Sequence, residues 1–306
     1  PFSTIHQKMN LQYHIVDETG IEPFVPELRA LEKQIEYPLE DGVGGFTIDH
    51  GDTYYSFFLQ QGIKVRFLII TNNNTVVGSI AGVWKQITFG EKDYTGLYAA
   101  DLKLSPDFRK KGIHQKALWY LFIRWPLVKD FQGWDFVYYC TMQRGGQGVN
   151  TAFKGPHLGK LANGVAEMNI YIVDPKKISR LKFDDFPDQD LEQINLSPHR
   201  HEDLLWNDGI KNIISTTDNS LLPLGHLHPN LLTRMREGSL KKALEKIMNR
   251  TNGLACFSID VRDEKKILWL QDHGIQTNTR CKIFSFSPFA PNLRKSGILC
   301  ISTGEI

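Results

Sequence analysis

The segment spanning residues 102–118, LKLSPDFRKKGIHQKAL, constrains the fold of this chain more than any other stretch. A β-patterned run, residues 97–104, ends at Ser105-Pro106. A basic turn with a single glycine follows. Apolar residues then recur at helical spacing: Ile113, Ala117, Leu118, Leu121 and Phe122. This order of strand, tight basic turn and helix start predicts a βα unit. The first N–H groups of a helix lack intrahelical partners, and the helix dipole favours an anion there. The segment is therefore read as a phosphate-holding turn. The plainer reading is an exposed, basic helix start.

The flanking sequence alternates strands and helices. Residues 11–16 alternate like a strand, and residues 26–37 read as a helix that Pro38 ends. Residues 65–71 and 75–84 read as a hairpin joined through Asn72-Asn73-Asn74. Residues 85–93 read as a turn region, 94–104 as the motif strand, and 134–142 and 166–173 as two further strands. From residue 174 the pattern changes. Residues 176–201 are charged and rich in Pro and Asp, as a connector would be. Residues 239–250 form a helical pattern that Ser239 can cap and Gly253 can end. Residues 254–261, 267–270, 281–286 and 297–302 read as strands.

Residues 109–114, Arg109-Lys110-Lys111-Gly112-Ile113-His114, resemble the acyl-CoA-binding motif Q/R-x-x-G-x-G/A of the GNAT acyltransferase superfamily. Leu102 and Leu104 on the strand, Pro106 and Phe108 extend the likeness. The departure is His114, where the family has Gly or Ala. The resemblance covers roughly the first 175 residues. It implies an α/β (α+β) fold: a GNAT-like mixed central sheet flanked by helices, with a second, smaller α+β domain after it. The expected division is 1–175 for the acyl-CoA-binding domain and 176–306 for a domain of unknown role, a diverged GNAT-like repeat being one reading. Acetyl-CoA or another acyl-CoA is the implied cofactor. Arg109, Lys110, Lys111, Gly112, Ile113 and His114 are expected around its pyrophosphate. Leu102 and Leu104 are expected along its pantetheine arm, and Asn150 matches the family Asn that contacts that arm. The family's groove lies where two central strands splay, here residues 96–104 and 134–142.

Acyl transfer to an amine needs a base for a group whose free pKa is about 10.4, a donor for the oxyanion, and an acid for the leaving thiolate. Ala100 stands where the family often has a Glu. Asp101 is the neighbouring candidate base, with a structural Asp as its equal. Counting the family spacing from Asn150 brings His157 to the position of the usual acid, a Tyr. Tyr138 and Tyr139 are fallback acids on a strand where aromatics also serve as core.

The remaining observations set limits. With 36 Lys+Arg against 34 Asp+Glu, the balance argues against a nucleic-acid partner. No apolar stretch reaches membrane-spanning length, so no membrane partner is expected. The four cysteines have no metal-site spacing, His226-Leu227-His228 could bind a metal only with further ligands from elsewhere and reads better as a solvated loop, and no metal is expected. Reduced thiols and the lack of a signal-peptide pattern suit a cytoplasmic protein. The expected function is acyl-CoA-dependent N-acyl transfer, acetyl first, to a small-molecule or peptide amine. Long-chain N-acyl transfer and a non-catalytic acyl-CoA-binding module are the alternatives, and homodimerisation is left open.

Overall fold

The computed structural model describes residues 9–38, 45–142, 161–187, 192–288, 293–294 and 297–306. The chain opens with β1 (Leu11–Val16), α1 (Val25–Glu32), β2 (Tyr37–Pro38), β3 (Gly45–Asp49) and α2 (Ser56–Leu59). The long strands β4 (Lys64–Asn72), β5 (Thr75–Phe89) and β6 (Lys92–Leu104) come next. Then follow α3 (Ile113–Arg124), β7 (Phe136–Met142), β8 (Asn163–Val173) and α4 (Pro175–Ser179). The later part carries β9 (Gln193–Asn195), β10 (Leu204–Leu205), β11 (Asn212–Ser215), β12 (Leu224–Leu227), α5 (Glu237–Met248), β13 (Leu254–Asp260), α6 (Glu264–Asp272), β14 (Thr279–Phe286) and β15 (Ile298–Cys300).

A single ten-stranded mixed sheet runs β1-β4-β5-β6-β7-β14-β8-β13-β12-β10. It continues across the segment where a domain boundary is expected: β14, from late in the chain, lies between β7 and β8. A second link is the small sheet in which β11 pairs with β3. Alternation along β4 separates two cores. Phe67 and Ile69 face the side covered by Leu28 and Leu31 of α1, whereas Leu68 and Ile70 meet Ile113 and Ala117 of α3. A third core packs α4, α5 and α6 against β8, β12 and β13.

The expected hairpin, motif strand and motif helix are all present. Residues 267–270 are an exception, for they lie in α6. The Asp263 carboxylate caps that helix by accepting from the Lys266 N–H, and Lys266, Trp269 and Leu270 share its buried face. A four-residue apolar run is compatible with either period, and the cap decides. Ser239 sits inside the first turn of α5 rather than before it. The segment at residues 85–93 extends β5 to Phe89 before the hairpin turns.

The feature that shapes the site is the short contact between β6 and β7. These parallel strands pair only at Gly96↔Phe136, Leu97↔Val137 and Tyr98↔Tyr138, and β6 then runs on to Leu104 without β7 beside it. Gly96 permits the pairing, since a Cβ there would lie 2.8 Å from both Phe136 Cζ and Ile87 Cδ1. Gly96→Val is expected to push the strands apart and cost about 1–3 kcal/mol, read as a lower midpoint in urea unfolding. A midpoint within error of the wild type would show that the contact is loose.

Candidate functional site

Beyond Tyr98 the ladder between β5 and β6 is broken once. Ser79 pairs with Lys103 and Ala81 with Ala100, so Ile80 alone faces Asp101 and Leu102. This is a β-bulge, and Asp101 adopts φ +55°, a left-handed conformation that is uncommon for a residue with a side chain. The bulge turns the Asp101 carboxylate toward α1. There Lys103 Nζ donates to it at 2.6 Å, and the Tyr54 hydroxyl donates to it as well. The same ammonium reaches the Glu32 carboxylate, which also accepts from His50 Nδ1 and, at 3.2 Å, from the His50 backbone N–H. The result is a buried cluster of Glu32, His50, Tyr54, Asp101 and Lys103.

The electrostatics of this cluster follow from its burial. Burial raises the pKa of Asp101, but the Lys103 charge and the hydrogen bonds from Lys103 and Tyr54 outweigh it, leaving a carboxylate below its ordinary range. For His50, burial and the Lys103 charge outweigh Glu32, so its pKa falls and the imidazole is neutral. Atoms of Glu32, His50 and Asp101 lie within 4.8 Å of one another, a spacing that a metal ion could also use. The Lys103 ammonium already bonds both carboxylates and supplies the cation of this site.

Where β6 and β7 part, a cavity of about 690 Å³ opens. Its walls are mostly apolar and come from both halves of the chain. Leu118, Leu121, Phe122 and Trp125 of α3 and its end form one wall, while Ile213, Leu222 and Leu224 come from later in the chain. Asp101, Leu102 and His50 line it near the bulge, and Lys211, His226 and Thr303 line it as well. Lys211 is buried, donates to the Ile306 carbonyl, and stands 4.7 Å from the centre of the Phe57 ring. Burial pulls its pKa down to about 8. His226, bonded to the Thr303 hydroxyl at 3.0 Å, is held neutral by burial at about 3.

Beneath the fork lies a second polar cluster. Glu305 binds Lys85 at 2.7 Å and Arg200 at 3.2 Å and accepts from the Ser197 hydroxyl. Its backbone carbonyl accepts from the Tyr98 hydroxyl at 3.0 Å.

The motif turn stands beside this cavity. Lys110 and Gly112 both take positive φ, +61° and +70°, and α3 starts immediately after Gly112 without a side-chain cap. Among the described residues, no atom lies within 4 Å of where a Cβ on Gly112 would stand. Arg109 Nε donates to the Leu104 carbonyl at 3.3 Å, and Lys111 lies over the Phe108 ring. His114 lines the cavity, and burial lowers its pKa. Leu102 is 56% exposed on the free edge of β6. Leu104 packs in the α3-side core, and Ile113 is wholly buried there, so only its backbone faces the turn.

The other sequence candidates are placed differently. Tyr138 is fully buried, stacks on Tyr98 with ring centres 4.9 Å apart, and donates its hydroxyl to the Leu196 carbonyl. It is engaged below the fork rather than in the cavity. Asn150 and His157 lie outside the described residues. Sequence reasoning passed over Glu32, His50, Lys103, Lys211 and Glu305. Their one visible signal is a Lys or Glu placed within an otherwise apolar pattern, as at Lys85 and Lys103, which demands a buried partner.

No family model and no curated protein sequence matches the chain. Solved structures do. A tandem GNAT protein from the clavulanic acid biosynthesis pathway aligns over 92% of this chain and all of its own, at 10% identity and a TM-score of 0.51. Saccharomyces cerevisiae N-myristoyltransferase with bound myristoyl-CoA aligns over 97% of this chain and 89% of its own, at 10% identity and a TM-score of 0.51. A second structure of that enzyme, with myristoyl-CoA and inhibitors, covers 100% and 87% at 9% identity and a TM-score of 0.51. At such identity the likeness is one of fold, and the mixed sheet, parted between β6 and β7 and with helix α3 following β6, is a GNAT-like α/β fold.

Proposed function

We propose that this protein is an acyl-CoA-dependent N-acyltransferase. The observation that carries the reading is the fork between β6 and β7, which opens into the 690 Å³ cavity beside the Gly112-capped start of α3. A helix start with Arg109, Lys110 and Lys111 around it, and no described atom within 4 Å of a Gly112 Cβ, suits a pyrophosphate. The free edge of β6 at Leu102 offers an extended arm a strand to lie along. The cavity beyond suits an acyl chain and an acceptor amine. Asn150 and His157 keep the roles implied by the motif.

The acyl group favoured here is longer than acetyl. A cavity of this size accommodates a drug-sized ligand, and its walls offer aliphatic and aromatic side chains where an acetyl group needs little. The myristoyl-CoA bound by two of the similar structures supports that preference. The alignment with a tandem GNAT protein supports reading residues 176–306 as a diverged repeat that supplies one wall of the groove. The acceptor is a small-molecule or peptide amine.

Calorimetry tests this reading. Dodecanoyl-CoA is expected to bind the wild type at least about tenfold more tightly than acetyl-CoA, since each extra buried methylene contributes about 0.8 kcal/mol. Gly112→Trp is expected to abolish binding, because φ +70° costs a side chain about 1–2 kcal/mol and the indole would stand at the start of α3, where the pyrophosphate is placed. Absence of binding by either donor would sink the acyltransferase reading.

A further inference from the structure

We propose that His50, oriented by Glu32, is the general base that takes the proton from the acceptor amine. The inference rests on the N-acyltransferase reading above and assigns a catalytic residue to its cavity. His50 follows β3 directly and is among the residues that line the cavity. Glu32 holds it at two points, through the backbone N–H and through Nδ1. A carboxylate at Nδ1 takes the N–H of the neutral ring, which leaves the lone pair on Nε2. Among the described residues, Nε2 makes no hydrogen bond. Tyr54, Phe57 and Phe58 pack around the ring at centroid distances of 5.1–5.3 Å and fix its plane.

The ring is also in the right place. A nitrogen of His50 is within 4.8 Å of the Asp101 carboxylate, which sits in the bulge where β6 leaves β7. Asp101 itself is committed to Lys103 and Tyr54 and is a poor base for that reason. Glu32 is likewise shared between His50 and Lys103. The imidazole is thus the group of this cluster with an uncommitted acceptor atom. In the step assigned to it, Nε2 takes one proton from the ammonium form of the acceptor, and the freed amine nitrogen bonds to the thioester carbonyl carbon and sheds a second N–H proton. The C–S bond then breaks, CoA leaves as the thiolate, and the thiolate takes up a proton. The products are amide and CoA thiol, and His50 returns to neutral by proton release.

The charged and titratable groups facing His50 are Glu32 from α1, Asp101 and Lys103 from β6, and Tyr54 from the loop before α2. Lys103 opposes protonation of the ring, and the two carboxylates favour it. Transfer to a protonated amine is therefore expected to show an acid limb below the ordinary histidine range.

Two measurements test the assignment. In the first, the folded protein is treated with diethyl pyrocarbonate, with and without dodecanoyl-CoA, and the modified histidines are mapped by mass spectrometry. The expected result is modification of His50 that the donor suppresses. An unmodified His50 alongside a modified His201, which is exposed, would overturn the assignment. In the second, dodecanoyl transfer to glycinamide and to hydroxylamine is compared in wild type and His50→Gln. Hydroxylamine is largely unprotonated at neutral pH and does not need the first proton removed. His50→Gln is expected to slow glycinamide transfer by about 10²–10⁴-fold, to erase the acid limb, and to leave donor affinity and hydroxylamine transfer within about threefold of wild type. Equal loss with both amines, or loss with neither, would overturn the role of His50 while the acyltransferase reading stands. A wild type that binds no donor would defeat both together. If the wild type binds the donor but turns over neither amine, the modification pattern alone decides for or against His50.

Discussion

Lys103→Met is expected to destabilise the protein at neutral pH by about 3–5 kcal/mol, the cost of removing one partner from a buried ion pair. Lys103 is 2% exposed and its ammonium bonds the Glu32 and Asp101 carboxylates, whose side chains are 2% and 6% exposed. Without it, two buried carboxylates face each other with no ammonium between them. The pH dependence is expected to invert. In the wild type the Asp101 pKa lies below its unfolded value, so its contribution is present above that unfolded value and is lost as pH falls through the folded one. In Lys103→Met, burial and the facing carboxylate raise the folded pKa. The penalty is then absent at low pH and grows as pH rises past the unfolded value of about 4. Urea unfolding at pH 4 and pH 7 checks this. A variant at least as stable at pH 7 as at pH 4 would show that the carboxylates are solvated after all.

Glu305→Gln is expected to cost a similar amount, about 3–5 kcal/mol, by a different route. The Glu305 side chain is fully buried and serves Lys85, whose side chain is also fully buried, and Arg200, 6% exposed. Burial already lowers the Lys85 pKa, and Glu305 is the group that chiefly opposes this. The amide leaves two cations uncompensated beneath the fork. Arg200 Nη2 already lacks a partner among the described residues, so no spare acceptor is at hand. Because Glu305 also accepts from Tyr98 at the last paired position of β6 and β7, loss of order should reach the cavity. The measurement is urea unfolding of wild type and variant together with dodecanoyl-CoA binding. A loss below about 1 kcal/mol would place this cluster with exposed pairs, whose median contribution is 0–1 kcal/mol.

Much of the local structure was legible in the sequence. The hairpin of β4 and β5, the strand β6, the turn at Gly112 and the helix α3 follow from alternation, turn residues and helical spacing, all of which act within a few residues. The parting of β6 and β7 at residues 96–104 and 134–142 matched the resemblance rather than any local rule. Residues 267–270 failed as a strand because a short apolar run carries no period of its own. Asp101 was legible as a carboxylate on the motif strand, but its direction was not, because a one-residue bulge reverses the alternation that would have placed it.

The sequence by itself determined a GNAT-like α/β pattern, a phosphate-suited turn at Arg109–His114 and the absence of a strong net charge. Only the tertiary structure decided which residues share the cavity. Glu32, His50 and Lys103 meet across separations of 18 and 71 residues, and Lys85 and Glu305 across 220. It also decided that β14 would enter the sheet between β7 and β8, so that residues from late in the chain wall the cavity. The physical reason is range. Helix caps, turns and alternation are set by neighbours along the chain, whereas a buried charge is tolerated only where the folded sheet brings it an opposite charge, and no local pattern records which one that is.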